Sequence, residues 1–305
     1  MKRTIIIISL VVLCCKTSFA QSTIRRQTSN HTRTQTTTKA TRNNKSSSHN
    51  ANSNYKPSAN TSSTIRNKAS YSDGSINVNG ISYDMVRVNA GTFTMGATSD
   101  MKDPFDDEKP THQVTLTNDY YIGKTEVTQA LWKAVMGNNP SDFKGDDLPV
   151  ECVSWNDCKQ FISKLNSMTG QNFRLPTEAE WEFAARGGNN SKHYQYSGSN
   201  NLDEVAWFKD NSESMTHEVA TKQPNELGIY DMSGNVAELC YDWYDNYKSS
   251  SQTNPICKKR GNLPMRVHRG GNFLKPQNAL HSSYRSKADP NCSYNFLGFR
   301  LALSE

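Results

Sequence analysis

Cysteines are nearly absent from a segment near the end of this chain that has many polar and aromatic side chains. Residues 269–300 read RGGNFLKPQNALHSSYRSKADPNCSYNFLGFR, and their one cysteine, Cys292, lies near the end. A pair of accessible thiolates in such a segment would support redox chemistry or bind a soft metal ion. Residues 272–291 contain no cysteine, and their lysine, glutamine and histidine side chains supply no soft ligand pair. We therefore expect no thiol chemistry from this segment.

The cysteines beyond residue 80 have spacings that predict no metal site. Their number is odd, so at least one thiol stays unpaired in an exported chain, and the pairing of the others remains open. No CxxC pair or neighbouring histidine pair matches a zinc-binding pattern, so we expect no metal bound through these thiols. The five residues are Cys152, Cys158, Cys240, Cys257 and Cys292.

Other catalytic patterns are weaker still. The glycine pairs in ARGGNN and RGGNF indicate turns rather than phosphate-binding loops. No histidine has a nucleophile elbow or a comparable local signature near it, so we assign no catalytic residue. The histidines considered are His112, His217, His268 and His281.

The first twenty residues have the layout of a cleaved secretory signal. Two basic residues precede an apolar run over 5–15, and small residues lead to an expected cut after Ala20. The run is too short for a permanent transmembrane helix. Lipidation at Cys14 or Cys15 is the alternative and would hold the protein at a membrane. We expect an exported protein that is periplasmic, outer-membrane-associated or secreted.

Residues 21–78 are predicted to be a disordered basic linker, because they are rich in Ser, Thr and Asn and have little to bury. Residues 21–80 hold nine Lys and Arg against one Asp, a net +8, and the signal adds +3. The formal charge of +6 therefore leaves about −5 for residues 81–305. We interpret the linker as a solvated spacer rather than a nucleic-acid-binding segment. Residues 79–305 are long enough for one domain with its own core.

Periodicity within residues 79–305 predicts an α+β domain with few helices. We predict two short strands and a turn in 82–96 and another strand pair in 112–127. Thr128 is the expected N-cap of a helix that stops at Gly137, and Thr177 that of a helix over 178–186. A helix over 155–165, capped by Ser154 or Asn156, lies between them. Beyond residue 188 we expect little regular structure.

Seven phrases occur in a fixed order along this domain. They closely resemble the formylglycine-generating enzyme (sulfatase-modifying factor) family, from Ser82 to the last residue. The resemblance implies a compact, loop-rich α+β domain of the C-type-lectin-like fold. The phrases are FTMG, EKPTHQVTLTNDYYIGKTEVT, LPVECVSWNDCKQF, FRLPTEAEWEFAARGG, LGIYDMSGNVAEL, RGGNF and LGFRLA.

The resemblance also implies a calcium loop in the phrase DMSGNVAE. The family uses side-chain oxygens at the first and last positions and backbone oxygens between them. The corresponding residues are Asp231, Gly234, Val236 and Glu238. Carboxylate and carbonyl oxygens suit this hard cation. A tight turn without metal is the alternative.

The chain departs from the family pattern at several positions. The family oxidises a target cysteine with two copper-binding cysteines between RGG and LGFR, and their absence here makes copper and that reaction unexpected. Ala237 and Leu239 replace two common tryptophans, which indicates a repacked surface. Ile162 and Leu301 stand where vertebrate-type members have disulfide cysteines, although bacterial members often lack these bridges too.

We therefore predict an exported binding or structural module of the cell envelope. Its expected partner is an envelope or extracellular protein, peptide or glycan, with no nucleic acid, and with peripheral membrane association if the chain is lipidated. One alternative is a family oxidoreductase or sulfatase-maturation enzyme with altered active-site chemistry, and another is a variable display protein with a similar RGG…GFR frame. The expected ligand-binding surface comprises Phe273, Lys275, Gln277, His281, Tyr284 and Tyr294.

Overall fold

Alternating buried and exposed side chains produce the strands of this domain. The structure is a computed structural model that describes residues 69–260 and 264–305. Along the third strand, Tyr83, Met85 and Val88 are buried between more exposed neighbours, as in a strand with one face on a core. The described strands are β1 (Ala69–Ser72), β2 (Ser75–Val78), β3 (Ile81–Val88), β4 (Gly91–Met95), β5 (His112–Leu116), β6 (Tyr120–Gly123), β7 (Phe173–Arg174), β8 (Ala237–Trp243), β9 (Gln252–Thr253), β10 (Arg266–Arg269), β11 (Arg285–Ala288), β12 (Leu297–Gly298) and β13 (Ala302–Ser304).

These strands form three sheets within the described residues. One sheet has the order β1-β2-β3-β6-β13-β7, the second β11-β10-β8-β12, and the third β4-β5-β9. Most neighbours are antiparallel, while β12 with β8 and β5 with β9 are parallel. Strand β13 therefore bridges β6 and β7, which lie far before it in the sequence.

The strands expected in 82–96 and 112–127 are present, but each pairs elsewhere. Strand β3 pairs with β6, and β4 pairs with β5. The expected pairing of β5 with β6 is therefore wrong. Local alternation indicates which face of a strand is buried, whereas the choice of partner depends on the whole topology.

Ordered structure begins before the predicted linker boundary at residue 78. Strands β1 and β2 form a hairpin around Asp73 and Gly74, both of which have positive φ, as an Asp-Gly turn requires. Ile76 and Val78 are fully buried, and the Tyr71 ring packs edge-on to Phe173 at 5.5 Å. The linker prediction is wrong for residues 69–78 because these apolar side chains complete a sheet edge. The predicted signal at 1–20, lipidation at Cys14 or Cys15, and the rest of the linker lie outside the described residues.

The helices begin at the predicted caps. Thr128, Ser154 and Thr177 each accept a hydrogen bond from a backbone N–H in the first turn. The second helix runs four residues beyond its predicted end and stops at Gly170, which has positive φ. The described α-helices are α1 (Gln129–Met136), α2 (Trp155–Thr169), α3 (Glu178–Ala185) and α4 (Leu202–Val205).

Two large apolar clusters fill the interior. In the first, the Trp132 ring stacks on Phe161 at 5.1 Å, and Phe299 meets both rings edge-on. Ile162 and Leu301 are both buried in this cluster. The second cluster surrounds the fully buried Trp181 of α3. All described residues belong to one compact α+β unit, and no described helix has the length and apolarity needed to span a membrane.

Candidate functional site

Arg269, the arginine of the RGGNF phrase, fixes the segment that follows it. The side chain is fully buried, and its Nη1 donates to the backbone carbonyls of Ser283 and Tyr284, each at 2.7 Å. Its Nη2 donates to the carboxylate of Glu182 on α3. Because one buried charge meets a carboxylate and several carbonyls, the segment is held against α3. The first residue of this phrase is therefore part of the scaffold.

Arg285 forms a second ion pair with the same helix. Its Nε and Nη2 donate to the two carboxylate oxygens of Glu178 at 2.8 and 2.7 Å. Burial would raise the pKa of Glu178, but Arg285 and Arg269 outweigh burial and lower it. Glu178 is consequently ionised at neutral pH, and its charge is used within the fold.

A cavity of about 450 Å³ opens beside this ion pair. Its wall includes Asp242, whose carboxylate accepts the backbone N–H of Glu178 at 3.0 Å and of Cys257 at 2.6 Å. Burial raises the pKa of Asp242 to about 7. Sequence reasoning missed this residue because its partners lie 64 and 15 positions away and no motif connects them. The carboxylate holds two chain segments together and is not free for a ligand.

The predicted calcium residues fit a cation only in part. Asp231 is buried, and its Oδ1 has no hydrogen-bond partner, while Oδ2 accepts the N–H of Ala220. Glu238 has no such free oxygen, because Arg300 and the indole N–H of Trp181 donate to its carboxylate. Burial raises the pKa of Asp231 to about 6. The loop thus offers one free carboxylate oxygen at Asp231, and the side chain of Glu238 is engaged elsewhere.

The predicted ligand-binding surface does not form as one exposed patch. Phe273, His281 and Tyr284 are buried. The His281 ring lies beside Tyr196, with ring centres 5.6 Å apart, and burial lowers the pKa of His281 to about 4. These three side chains pack against aromatic rings of other loops, namely Phe143, Tyr196 and Phe105, instead of facing solvent. The remaining predicted residues, Lys275, Gln277 and Tyr294, are at least partly exposed.

Three loops instead meet around the buried Phe273. The Phe143 ring contacts the Phe273 ring edge-on at 5.6 Å, and Ser212 Oγ donates to the carbonyl of Phe273 at 2.8 Å. Met215 and Leu274 on two of these loops are 41% and 44% exposed. We use the name loop face for Phe143, Met215, Leu274, Lys275 and Gln277. The loop face combines apolar and polar groups on segments that hydrogen bonds hold in place.

The thiols of the described chain are not arranged for redox chemistry. None of the five cysteines forms a disulfide, and Cys158 and Cys240 are buried. Burial raises the pKa of Cys152, Cys158, Cys240 and Cys257 above the ordinary value. Since the thiolate is the reactive form, these four are poor nucleophiles at neutral pH.

The structure nevertheless brings one thiol close to two acidic residues. Single ligand atoms of Asp142, Glu151 and Cys152 lie within 4.8 Å of one another. We expected no metal at the cysteines, because their spacings match no zinc-binding pattern. In the sequence, the only sign of this group is the adjacent pair Glu151 and Cys152 with an aspartate nine positions before Glu151.

Comparisons with known proteins agree with this fold. The sequence profile of the sulfatase-modifying factor enzyme 1-like domain matches residues 77–305. A protein of Paenibacillus barcinonensis called chaperone protein LppX is 34% identical over 275 residues, covering 74% of this chain and 91% of that protein. The formylglycine-generating enzyme of Streptomyces coelicolor is 28% identical over 291 residues, covering 71% and 88%.

A solved structure has the same fold. Treponema denticola variable protein 1 superimposes with a TM-score of 0.68 at 32% identity, covering 76% of this chain and 98% of that protein. This chain belongs to the formylglycine-generating enzyme (sulfatase-modifying factor) family, and residues 77–305 form its family domain.

Proposed function

We propose that this protein is an exported binding module of the cell envelope that recognises a polypeptide through the loop face and does not oxidise cysteine. The observation that carries the proposal is the composition of the segment between RGGNF and LGFR. Residues 272–291 contain no cysteine, so the thiol pair expected for the family reaction is missing.

The positions of the remaining thiols support the same conclusion. Cys158 and Cys240 are enclosed in the two apolar clusters, where a substrate has no access. Cys152 and Cys257 are partly exposed, but burial raises the pKa of each. A thiol that stays protonated is a weak nucleophile.

The loop face has the physical character of a recognition surface. Leu274 and Met215 expose apolar side chains on neighbouring segments, beside the cationic Lys275. The backbone beneath them is fixed, because Ser212 is bonded to Phe273 and the N–H of Lys209 donates to the carbonyl of Lys275 at 3.2 Å. Loops positioned by a rigid scaffold lose little entropy on binding, which favours recognition.

A polypeptide is the partner that these features favour. Exposed apolar side chains beside a lysine suit a peptide with apolar and acidic residues better than a glycan. The name chaperone protein, given to the Paenibacillus relative, supports the same class of partner. The predicted signal and linker would place the domain outside the cytoplasm, on a spacer.

The catalytic half of the proposal is tested with a peptide that contains a CxPxR motif. The protein is incubated with the peptide and copper under air, and the peptide mass is followed. We expect no mass loss on the peptide cysteine, whereas the Streptomyces coelicolor enzyme serves as the active control. Mass loss with this protein would instead support the alternative, a family oxidoreductase with altered active-site chemistry.

The binding half is tested by covalent capture from the envelope and medium of producing cells, followed by affinity measurement with each purified partner. A Leu274→Asp/Met215→Asp variant is expected to bind at least about tenfold more weakly, because two apolar contacts with the partner would be lost. Ile256→Asp is the matched control, since Ile256 is 40% exposed but lies beside the cavity near Asp242. Equal binding by both variants would reject the loop face.

A further inference from the structure

Asp142, Glu151 and Cys152 gather two carboxylates and a thiol at the edge of the loop face. One ligand atom from each of the three side chains lies within 4.8 Å of the other two. Within residues 69–260 and 264–305, no other three acidic, histidine or cysteine side chains come together in this way. Glu151 is joined to the loop face directly, because its Oε1 accepts the backbone N–H of Phe143 at 2.9 Å. Asp142 is exposed, so an ion can reach the group from solvent.

Glu151 gives an independent indication that the group has a ligand. Its side chain is 0% exposed, yet its Oε2 has no hydrogen-bond partner. The Oε2 atom has thus lost its hydration without gaining a hydrogen bond of good geometry in return. A cation among the three ligand atoms would supply the missing partner.

The loop that carries Asp142 is held in position from below. The fully buried Gln129 of α1 donates to the carbonyl of Phe143 at 2.9 Å and accepts the amide of Asn139 at 2.7 Å. Ser141 Oγ accepts the N–H of Glu151 at 3.1 Å. The two segments that bear the acidic residues are thus fixed relative to each other before any ion binds.

Cys152 is the third member of the group, and its backbone is also held in place. Its φ of 57° lies in the left-handed region, and its N–H donates to the carbonyl of Tyr294 at 3.0 Å. This backbone conformation is costly for a residue with a Cβ. The bond to Tyr294 fixes the residue beside the loop that precedes LGFR.

The ligand types select the ion. Calcium and magnesium prefer oxygen ligands alone, and copper(I) prefers several sulfur ligands. Zinc accepts thiolate and carboxylate together, and a site with three protein ligands leaves a fourth position for water or a ligand. Tetrahedral zinc ligands lie roughly 3.3–3.8 Å apart, so the three atoms would close by no more than about 1.5 Å.

We propose that Asp142, Glu151 and Cys152 bind a zinc ion, with one coordination position open beside the loop face. On binding, the Cys152 thiol releases its proton to solvent and forms a zinc–sulfur bond, while each carboxylate contributes one oxygen. No electron is transferred. The site goes beyond the polypeptide-binding function and does not depend on it.

Cobalt(II) is a spectroscopic probe for this site, because it takes tetrahedral zinc positions and reports a bound thiolate. The full-length protein is stripped with a chelator, reduced, and titrated with cobalt(II) without oxygen. We expect a sulfur-to-cobalt charge-transfer band that saturates at one equivalent and disappears when zinc is added. A wild-type protein without this band would overturn the proposal.

Two variants and a control locate the ligands. Cys152→Gly removes the thiol and suits the positive φ, so the fold is retained while the band is lost. Glu151→Gln keeps the shape of the side chain and is expected to weaken zinc binding at least about tenfold. Cys257→Ser is the matched control, since this partly exposed thiol also lies near carboxylates but outside the group. A band that survives in Cys152→Gly, or is lost in Cys257→Ser, would refute the assignment.

Discussion

The guanidinium of Arg300 donates through Nε and Nη2 to the two carboxylate oxygens of Glu238, each at 2.5 Å, and both side chains are fully buried. The pair connects Glu238 on β8, in the GNVAEL phrase, to Arg300, which follows β12 in the LGFR phrase. Removing one partner of a buried ion pair leaves the other charge without compensation. Two of the seven phrases shared with the family are therefore coupled through one electrostatic contact.

Glu238→Gln is expected to lower the free energy of unfolding by about 3 kcal/mol, because Arg300 keeps its charge without the carboxylate. Urea denaturation followed by circular dichroism measures the loss. Asp146→Asn is the control, since the Lys133–Asp146 pair is 50% and 66% exposed and should contribute less than about 1 kcal/mol. Equal losses in the two variants would show that burial of the pair does not matter.

Arg266→Lys is expected to destabilise the protein by about 1–2 kcal/mol. The Arg266 guanidinium lies 3.7 Å from the ring centre of Trp155 and 3.6 Å from that of Trp243, and a lysine cannot stack between two planes. Tryptophan fluorescence should change in the folded state as well. Arg260→Lys is the matched control, because Arg260 lies 6.0 Å from the Trp243 ring; a similar loss there would rule out stacking as the cause.

Acid should destabilise the protein in part through His268. Burial, with Lys275 and Arg269 nearby, lowers the pKa of His268 to about 3, so the folded state stays neutral where the unfolded histidine is protonated. Between pH 6 and pH 4 the unfolded state therefore binds one more proton, and stability falls as the pH falls.

His268→Gln should make the dependence of unfolding free energy on pH shallower by about 1.4 kcal/mol per pH unit between pH 4 and 6. Denaturant titrations at several pH values measure this slope, which does not depend on the overall stability of the variant. Replacing the exposed His193 with glutamine is the control. An unchanged slope in His268→Gln would mean that this histidine is not held neutral.

Calcium binding stays a prediction, now centred on Asp231. If the ion binds the folded state through the free Oδ1, excess calcium at 100 times Kd stabilises the protein by about 2.7 kcal/mol and raises the melting temperature. Scans in chelator and in excess calcium measure the shift, and Asp231→Asn should abolish it. The same melting temperature in both solutions would exclude the ion.

The sequence predicted the parts of this fold that depend on neighbouring residues. Thr128, Ser154 and Thr177 cap helices because each side chain reaches a backbone N–H three positions away. The partners of β4 and β6 were not predictable in this way, since strand pairing depends on contacts distant in sequence. The surface prediction for Phe273, His281 and Tyr284 was wrong for a related reason. Aromatic side chains are compatible with either surface or core, and the rings that cover these three come from segments distant in sequence.

The candidate site residues were likewise predictable only where neighbouring residues determine them. The phrase containing Asp231 was recognisable, but the role of Glu238 depends on Arg300, which lies 62 positions later. The group around Cys152 combines an adjacent pair with an aspartate on another loop, and only the folded backbone brings them together.

The position of β13 has a consequence for synthesis of the protein. Strand β13 lies between β6 and β7, so these two strands share no direct ladder and meet only through residues 302–304. The sheet cannot close while those residues are still unmade, however early the rest of the chain emerges. Completion of this sheet is thus postponed until residues 302–304 have been translated.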